Sequence, residues 1–114
     1  MTVYIGGVQM RGAGHAPRVY VGGVQAWDTG LTPRQQACKM NEEVMEVFSA
    51  IERCEGEDLD PEAWHGSESM HFRVVDECCD VITATCNLLA MLGVTDLREA
   101  MERCAERNRE RGRL

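Results

Sequence analysis

The sequence predicts an all-α protein, a bundle of about four helices with a short β-hairpin arm at its N-terminus. Two observations support the helices: apolar residues recur at helical spacing through most of residues 31–114, and capping or helix-breaking residues separate those stretches. A third observation sets the first thirty residues apart, because they carry a Gly-Gly repeat flanked by β-branched and aromatic residues. We therefore divide the chain into an N-terminal arm, residues 1–30, and a helical domain, residues 31–114.

The N-terminal arm contains one short sequence twice. Residues 3–9 read VYIGGVQ, and residues 19–25 read VYVGGVQ. Gly-Gly between strand-forming residues is a signal for a two-residue hairpin turn, and the two copies could also pair with each other as a small sheet. An isolated hairpin is marginal in water, so we expect the arm to pack on something, such as a partner subunit. A docking arm, a structural appendage and a segment disordered in solution remain alternatives.

The first helix has a clear start signal. Thr32 is a natural N-cap, Pro33 suits the first turn, and Gln35 completes a capping box. The helix is expected to run to about Cys54, because Gly56 follows. Its apolar residues form one stripe, predicted to face inward, with Glu43 and Glu46 beside it; the stripe comprises Ala37, Met40, Val44, Val47, Phe48 and Ile51.

Residues 60–92 predict a short helical turn and then a long helix. Asp60-Pro61 starts the turn, which ends near Gly66, and Ser67 is the predicted cap of a helix that runs to about Leu92. The long helix is apolar over a wide sector, as expected for the centre of a bundle or a subunit interface. Its apolar set is Val74, Val75, Cys78, Cys79, Val81, Ile82, Thr85, Cys86, Leu88, Leu89 and Leu92.

A last helix is predicted from residue 96 to about residue 111. Thr95 is its expected N-cap, and Gly112 its expected end. The residues predicted to face inward are Leu97, Ala100, Met101, Cys104 and Ala105.

Composition limits the classes of protein that this chain can belong to. Its net charge is −7, and residues 41–80 hold thirteen acidic residues against Arg53 and Arg73. This balance argues against nucleic acid as a partner, because phosphate backbones require clustered Lys and Arg. Aromatic residues make up only 5%, so the core must come from aliphatic residues, Met and Cys, and we expect an oligomer. The acidic block is either a solvated face or a cluster that holds divalent cations.

The cysteines and the hydropathy predict a cytoplasmic protein. None of the six cysteines forms a CxxC pair, and adjacent Cys78 and Cys79 suit neither a zinc site nor an ordinary disulfide, so we interpret them as reduced core residues. No charged segment followed by an apolar run marks a signal peptide, and no apolar stretch approaches the ~20 residues of a membrane span.

Two pairs of carboxylates suggest the chemistry. Glu43 and Glu46 are three residues apart on one predicted helix, and Glu77 and Asp80 are three apart on another, so each pair lies on one helix face. Four carboxylates converging from two helices would repel one another unless a cation lay between them. Oxygen ligands without His or Cys suit Mg²⁺ or Mn²⁺, which points toward phosphate chemistry.

These motifs, E-E-x-x-E at residues 42–46 and E-x-x-D at residues 77–80, resemble those of the all-α nucleoside triphosphate pyrophosphohydrolases. That superfamily includes MazG-type enzymes, dimeric dUTPases, dCTP pyrophosphatases and phosphoribosyl-ATP pyrophosphohydrolases. The resemblance covers roughly residues 35–112, and the short chain with one motif pair is most similar to MazG-like members. It implies a MazG-like bundle that hydrolyses a (d)NTP to (d)NMP and pyrophosphate. It gives no role to the Gly-Gly repeat.

The resemblance also implies roles for individual residues. Glu43, Glu46, Glu77 and Asp80 would be Mg²⁺ ligands. Glu42 and Glu46 would be the catalytic residues, with Glu42 acting through a metal-bound water or as a base. The basic end of the last helix is similar to the Asn-containing end of MazG-like proteins, which makes Arg107, Asn108 and Arg111 candidate substrate contacts, although a solvated face explains the arginines equally.

Two further substrate contacts come from the residues themselves. Lys39 lies one turn before Glu43 and is expected to face the same side. Trp64 either stacks on the base or closes one end of the bundle, and Trp27 could likewise stack, reaching a neighbouring subunit's site.

Three hypotheses about function follow from the sequence. The first is the Mg²⁺-dependent pyrophosphohydrolase, assembled as a homodimer or homotetramer. The second is a non-catalytic helical module that binds nucleotide or metal and docks a partner through the N-terminal arm. In the third, the acids are surface charge alone. The preferred base and sugar are left open.

Overall fold

The computed structural model describes residues 1–5, 21–54, 59–60 and 70–113, and within these residues the protein is mostly helical. The described part of the chain contains three helices rather than about four, preceded by a two-stranded antiparallel sheet. The predicted turn from residue 60 to residue 66 lies outside the described residues except for Asp60. The elements are β1 (Thr2–Tyr4), β2 (Gly23–Gln25), α1 (Pro33–Glu52), α2 (Met70–Met91) and α3 (Arg98–Glu110).

The two copies of the repeat pair with each other. Val3 of the first copy lies opposite Val24 of the second, and Tyr4 lies opposite Gly23. Gly23 is thus a strand residue rather than part of a hairpin turn. A Cβ at this position would lie 2.6 Å from Cγ2 of Thr2, so the cross-strand approach favours glycine here. The first copy's Gly6 and Gly7 lie outside the described residues.

The small sheet packs on helix α2 of the same chain. Val3 is fully buried and forms a hydrophobic cluster with Ala26 and Cys86. Half-buried side chains surround this cluster; they are Ile5, Val24, Ile82, Ala90 and Leu97. Because the sheet shares its core with α2, the expectation that the arm packs on something is met within one subunit. The domain boundary at residues 30 and 31 stays a prediction.

The start of α1 confirms the capping prediction. The Thr32 hydroxyl accepts a hydrogen bond from the Gln35 N–H (3.1 Å), and the Gln35 side chain accepts one from the Thr32 N–H (2.9 Å). Both groups would otherwise be unsatisfied at a helix N-terminus. One residue later, Gln36 is buried and its Nε2 donates to the Ala84 carbonyl of α2 (3.0 Å). This bond links the first turn of α1 to the middle of α2.

The predicted inward stripe of α1 is only partly inward. Met40 and Val47 are half-buried, whereas Val44, Phe48 and Ile51 are exposed, with Phe48 at 59%. Ala37 is exposed as well. The reason is rotational: α1 meets α2 through the side of the helix that carries Gln36, Glu43 and Ala50. We call the exposed set Val44, Phe48 and Ile51 the outer stripe.

The start of α3 differs from the prediction. Thr95 is not its cap; Leu97 occupies that position, with no side-chain capping bond. Residues 95–97 instead pair with β1, because the Tyr4 N–H donates to the Thr95 carbonyl (3.0 Å) and the Leu97 N–H donates to the Tyr4 carbonyl (2.7 Å). Extended pairing of these residues delays the helix. The Asp96 carboxylate accepts from the Arg98 N–H (3.0 Å) and guanidinium, which stabilises the first turn.

The other helix ends agree with the sequence. Gly93 after α2 and Gly112 after α3 have φ values of 78° and 75°, the left-handed conformation that favours glycine. The predicted inward face of α3 is shallow, because no residue of this helix is buried and Met101 is exposed. Among the described helices, none combines the length and apolarity needed to cross a membrane. All six cysteines are unpaired; Cys86 is buried, and Cys78 and Cys79 are exposed rather than part of the core.

Candidate metal centre and adjoining cleft

The packing of α1 on α2 brings three carboxylates together. One oxygen each of Glu43, Glu77 and Asp80 lies within 4.8 Å of the others. Glu43 is supplied by the inner face of α1, and the other two are supplied by successive turns of α2. Glu43 and Glu77 are half-buried and Asp80 is exposed, so the group opens to solvent on one side. We call these three residues the acidic triad.

The electrostatics of the acidic triad favour a cation. Partial burial, followed by the nearby charges of Asp80, Glu46 and Glu43, raises the pKa of Glu77 above its ordinary value of 4.5. Both causes disfavour the charged carboxylate. A divalent cation bound among the oxygens would reverse the effect, because the charged form would then be the stabilised one. Carboxylate oxygens are the donors that Mg²⁺ and Mn²⁺ prefer, so the residues present fit such an ion.

Lys39 lies beside the acidic triad, as its spacing predicted. Its ammonium group forms ion pairs with Glu43 (3.2 Å) and with Glu42 (3.6 Å). The hydrogen bond and charge of Glu43, with a smaller contribution from Glu42, raise the pKa of Lys39. These pairs hold one positive charge at the edge of the acidic cluster.

The remaining two predicted acids lie close to the triad. Glu46 is exposed and is not among the three residues whose oxygens converge, yet its charge contributes to the raised pKa of Glu77. The Glu42 side chain is 69% exposed and bonds to Lys39. Both carboxylates are therefore placed beside the triad rather than within it.

A cleft of about 390 Å³ adjoins the acidic triad. Glu43 and Asp80 form part of its wall, which also includes Lys39. The other lining residues come from the segment before α1, from its first turn and from the middle of α2; they are Trp27, Thr29, Leu31, Gln36, Thr83, Ala84 and Asn87. The volume falls in the range of small-molecule sites, and the lining combines apolar surface with a few polar groups.

The segment before α1 is held in place by side chains of the two helices. The backbone N–H of Trp27 donates to Oδ1 of buried Asn87 (3.0 Å). The Thr29 hydroxyl donates to Oε1 of buried Gln36 (3.1 Å). Ala26, immediately before Trp27, belongs to the hydrophobic cluster. The Trp27 backbone is therefore fixed, while its side chain remains 55% exposed at the cleft.

Three of the other predicted substrate contacts do not line the cleft. Arg107, Asn108 and Arg111 are not among the described residues that form its wall. Asn108 bonds locally, donating to the Cys104 sulfur (3.8 Å) and accepting from Arg113 (3.0 Å). Trp64 lies outside the described residues.

Sequence reasoning assigned no role in a site to six of the lining residues, which are Thr29, Leu31, Gln36, Thr83, Ala84 and Asn87. Spacing offered a signal for two of them, because Asn87 lies seven residues after Asp80 on α2 and Gln36 lies seven residues before Glu43 on α1. The burial of both side chains depends on the direction from which the other helix approaches. Trp27 was considered as a stacking residue, but for a neighbouring subunit's site; here it lines the cleft of its own chain.

Comparisons of the chain with models of protein families, with curated proteins and with solved structures each find no match.

Proposed function

We propose that the protein is a Mg²⁺-dependent nucleoside triphosphate pyrophosphohydrolase. The observation that carries this proposal is the acidic triad, which is drawn from two helices and has two members, Glu43 and Asp80, in the wall of a cleft of about 390 Å³. A hydrolase for triphosphates needs a divalent cation to neutralise the phosphate chain and hold it in line. The similarity of residues 42–46 and 77–80 to the all-α pyrophosphohydrolase motifs supports the same reaction.

The carboxylates fall into two groups in this proposal, metal ligands and candidate bases. Glu43, Glu77 and Asp80 hold the metal ion, which when bound supplies positive charge to the phosphate oxygens. Glu46 and Glu42 lie beside the triad, and one of them accepts the proton of the attacking water. The new P–O bond to water replaces the bridge between the α- and β-phosphates, so the products are a nucleoside monophosphate and pyrophosphate. Lys39 contributes a positive charge at the edge of the acidic cluster.

The direct test is pyrophosphate release from a panel of NTPs and dNTPs with Mg²⁺, with Mn²⁺ and with EDTA. We expect release that stops with EDTA and that falls more than about 100-fold in Asp80→Asn. Asp76→Asn is the matched control, because it removes the same charge from the same helix outside the triad. No release by folded wild-type protein would overturn the proposal, and metal binding without release would favour the non-catalytic module.

We also propose that the protein acts as a homo-oligomer, a dimer or a tetramer. The outer stripe supports this, because Val44, Phe48 and Ile51 form a continuous exposed apolar face on α1. Half-buried Val81 and Leu89 of α2 add apolar surface. A pair of helices with one open apolar face is half of a four-helix bundle, and a second copy would complete it symmetrically.

The association state can be measured by light scattering during gel filtration. Phe48→Asp is expected to shift the protein toward monomer. Leu92→Asp is the matched control, because Leu92 is equally exposed, at 59%, but lies beyond the end of α2 and off the outer stripe. A wild-type protein that is monomeric at high concentration, or equal effects of both substitutions, would contradict this assignment.

A further inference from the structure

We propose that the cleft beside the acidic triad is a nucleobase site in which the base stacks on the Trp27 indole. This inference rests on the proposed function, because it takes the acidic triad as the place of the phosphates. The lining of the cleft includes two carboxylates, Glu43 and Asp80, and one aromatic side chain, Trp27. A nucleotide combines the matching groups, a charged phosphate chain and a flat aromatic base.

The Trp27 side chain has the exposure and the support that a stacking surface requires. It is 55% exposed in a chain with very few aromatic residues, so the ring is not used to fill the core. Its backbone is nevertheless anchored by buried Ala26 before it and by the bond from its own backbone N–H to Asn87. Only the side-chain torsions of Trp27 therefore lose freedom when a base packs on the ring.

Asn87 supplies the polar recognition group. Its side chain is 3% exposed and lines the cleft. The backbone N–H of Trp27 is a donor and requires an acceptor, so the Asn87 carboxamide atom that faces it must be Oδ1. The Nδ2 end then carries the donors that can reach an acceptor on the base edge. Asn87 thus positions the backbone of Trp27 through Oδ1 and donates to the base through Nδ2.

Other side chains that line the cleft suit a sugar and a flat ring. Leu31 and Ala84 add apolar surface, and Thr83 adds a hydroxyl that donates to the Cys79 carbonyl of its own helix (2.9 Å), which leaves the oxygen lone pairs as acceptors. Such mixed lining is typical of small-molecule sites, where apolar contact gives affinity and a few polar groups give orientation.

The test separates the base from the phosphates. In a Trp64→Phe background, Trp27 is the sole tryptophan, since the chain has two. With Mg²⁺ present, a nucleoside triphosphate analogue with a non-hydrolysable α,β-bridge is expected to quench its fluorescence, and inorganic tripolyphosphate is not. By calorimetry, Trp27→Ala is expected to raise the Kd for the analogue roughly 10- to 100-fold, while the Kd for tripolyphosphate stays the same. Trp27→Phe should retain most of the affinity.

Three outcomes would overturn the inference: equal weakening of both ligands in Trp27→Ala, unchanged binding of both, or no nucleotide binding at all. Fluorescence of the Trp64→Phe protein tests the same point without altering Trp27, should the alanine variant fold poorly. Failure of the proposed function gives a different pattern, because an analogue that quenches Trp27 in a protein that never releases pyrophosphate would leave the base site standing without the reaction.

Discussion

The two halves of helix α2 differ in burial. In residues 81–91, Ala84, Cys86 and Asn87 are buried between α1 on one side and the small sheet on the other. In residues 70–80, no residue is buried, and the exposed side chains include Val75, Cys78 and Cys79. One continuous helix thus provides the core of the subunit at one end and the carboxylates of the candidate metal centre at the other.

This difference shows why the acids can lie where they do. Burying a carboxylate without a partner is costly, and placing three together is more so. The open half of α2 keeps Asp80 in contact with water, which limits that cost, while the packed half holds the helix in a fixed position. The cleft lies where the halves meet, since Asp80 and Ala84 are one turn apart and both line it. The predictions below challenge this division, in order of decreasing effect.

The largest effect is expected from Glu77→Gln, in the open half. Loss of a metal ligand should lower kcat/KM for nucleoside triphosphates more than about 100-fold. The same substitution should stabilise the metal-free protein near neutral pH. Since the Glu77 pKa is raised in the folded protein, the unfolded chain loses this proton at lower pH, so the free energy of unfolding falls as pH rises above about 4.5. Glutamine removes that loss.

The measurements for Glu77→Gln are steady-state kinetics and thermal unfolding across pH without metal. The difference in Tm between variant and wild type should vanish in acid, where protonated Glu77 is as uncharged as the glutamine. Full activity of the variant would remove Glu77 from the metal centre.

The second prediction concerns the packed half. Val3→Ala removes buried methyl groups from the cluster around Cys86 and should lower the free energy of unfolding by about 2 kcal/mol. Val75→Ala is the matched control in the open half, where the side chain is 40% exposed, and it should cost less than about 1 kcal/mol. Urea denaturation measures both. Equal losses would mean that the two halves do not differ in packing.

The third prediction concerns the bond between α1 and the packed half. Gln36→Ala removes the side-chain donor to the Ala84 carbonyl and the acceptor of the Thr29 hydroxyl, and it should lower the free energy of unfolding by about 1–2 kcal/mol. Gln35→Ala is the control one residue away, because its bond to the Thr32 N–H is exposed to water, and it should cost about 0.5 kcal/mol. If urea denaturation showed a larger loss of unfolding free energy for Gln35→Ala, the capping box would stabilise α1 more than the bond to α2 does.

The smallest effect is expected at Asp96, away from both halves. Hydrogen bonds from Arg98, first from its side chain and then from its backbone, lower the pKa of Asp96 to about 2 from 3.8. Its contribution to stability is therefore present above the unfolded pKa of about 4 and is lost as pH falls through about 2. Asp96→Asn should lower Tm slightly at neutral pH and flatten the loss of Tm in that acid range. An unchanged acid profile would contradict this role.

Local signals made parts of the fold predictable. Three features follow from short-range sequence patterns. They are the Thr32 capping box, the glycines after α2 and α3, and the pairing of the two repeat copies. Convergence of four carboxylates was predicted, because spacing along each helix places a side chain on a face. Glu43, Glu77 and Asp80 converge, whereas Glu46 lies beside them.

Other features depended on contacts between distant segments. Thr95 carries a capping side chain, yet its carbonyl is taken by β1, and α3 begins later. The outer stripe has the spacing of core residues, yet it is exposed because α1 turns a different face to α2. In each case a local preference of modest energy gave way to a pairing or packing contact that the preference itself does not encode.

The sequence by itself determined the capping box that begins α1, the glycines that follow α2 and α3, and which acids share a helix face. Only the tertiary structure decided that α1 buries Gln36 while Phe48 stays exposed, and that Trp27 and Asp80 line one cleft. The physical reason is that spacing along an element orders residues around its axis, whereas the rotation of one element against another is set by the sum of many weak packing contacts.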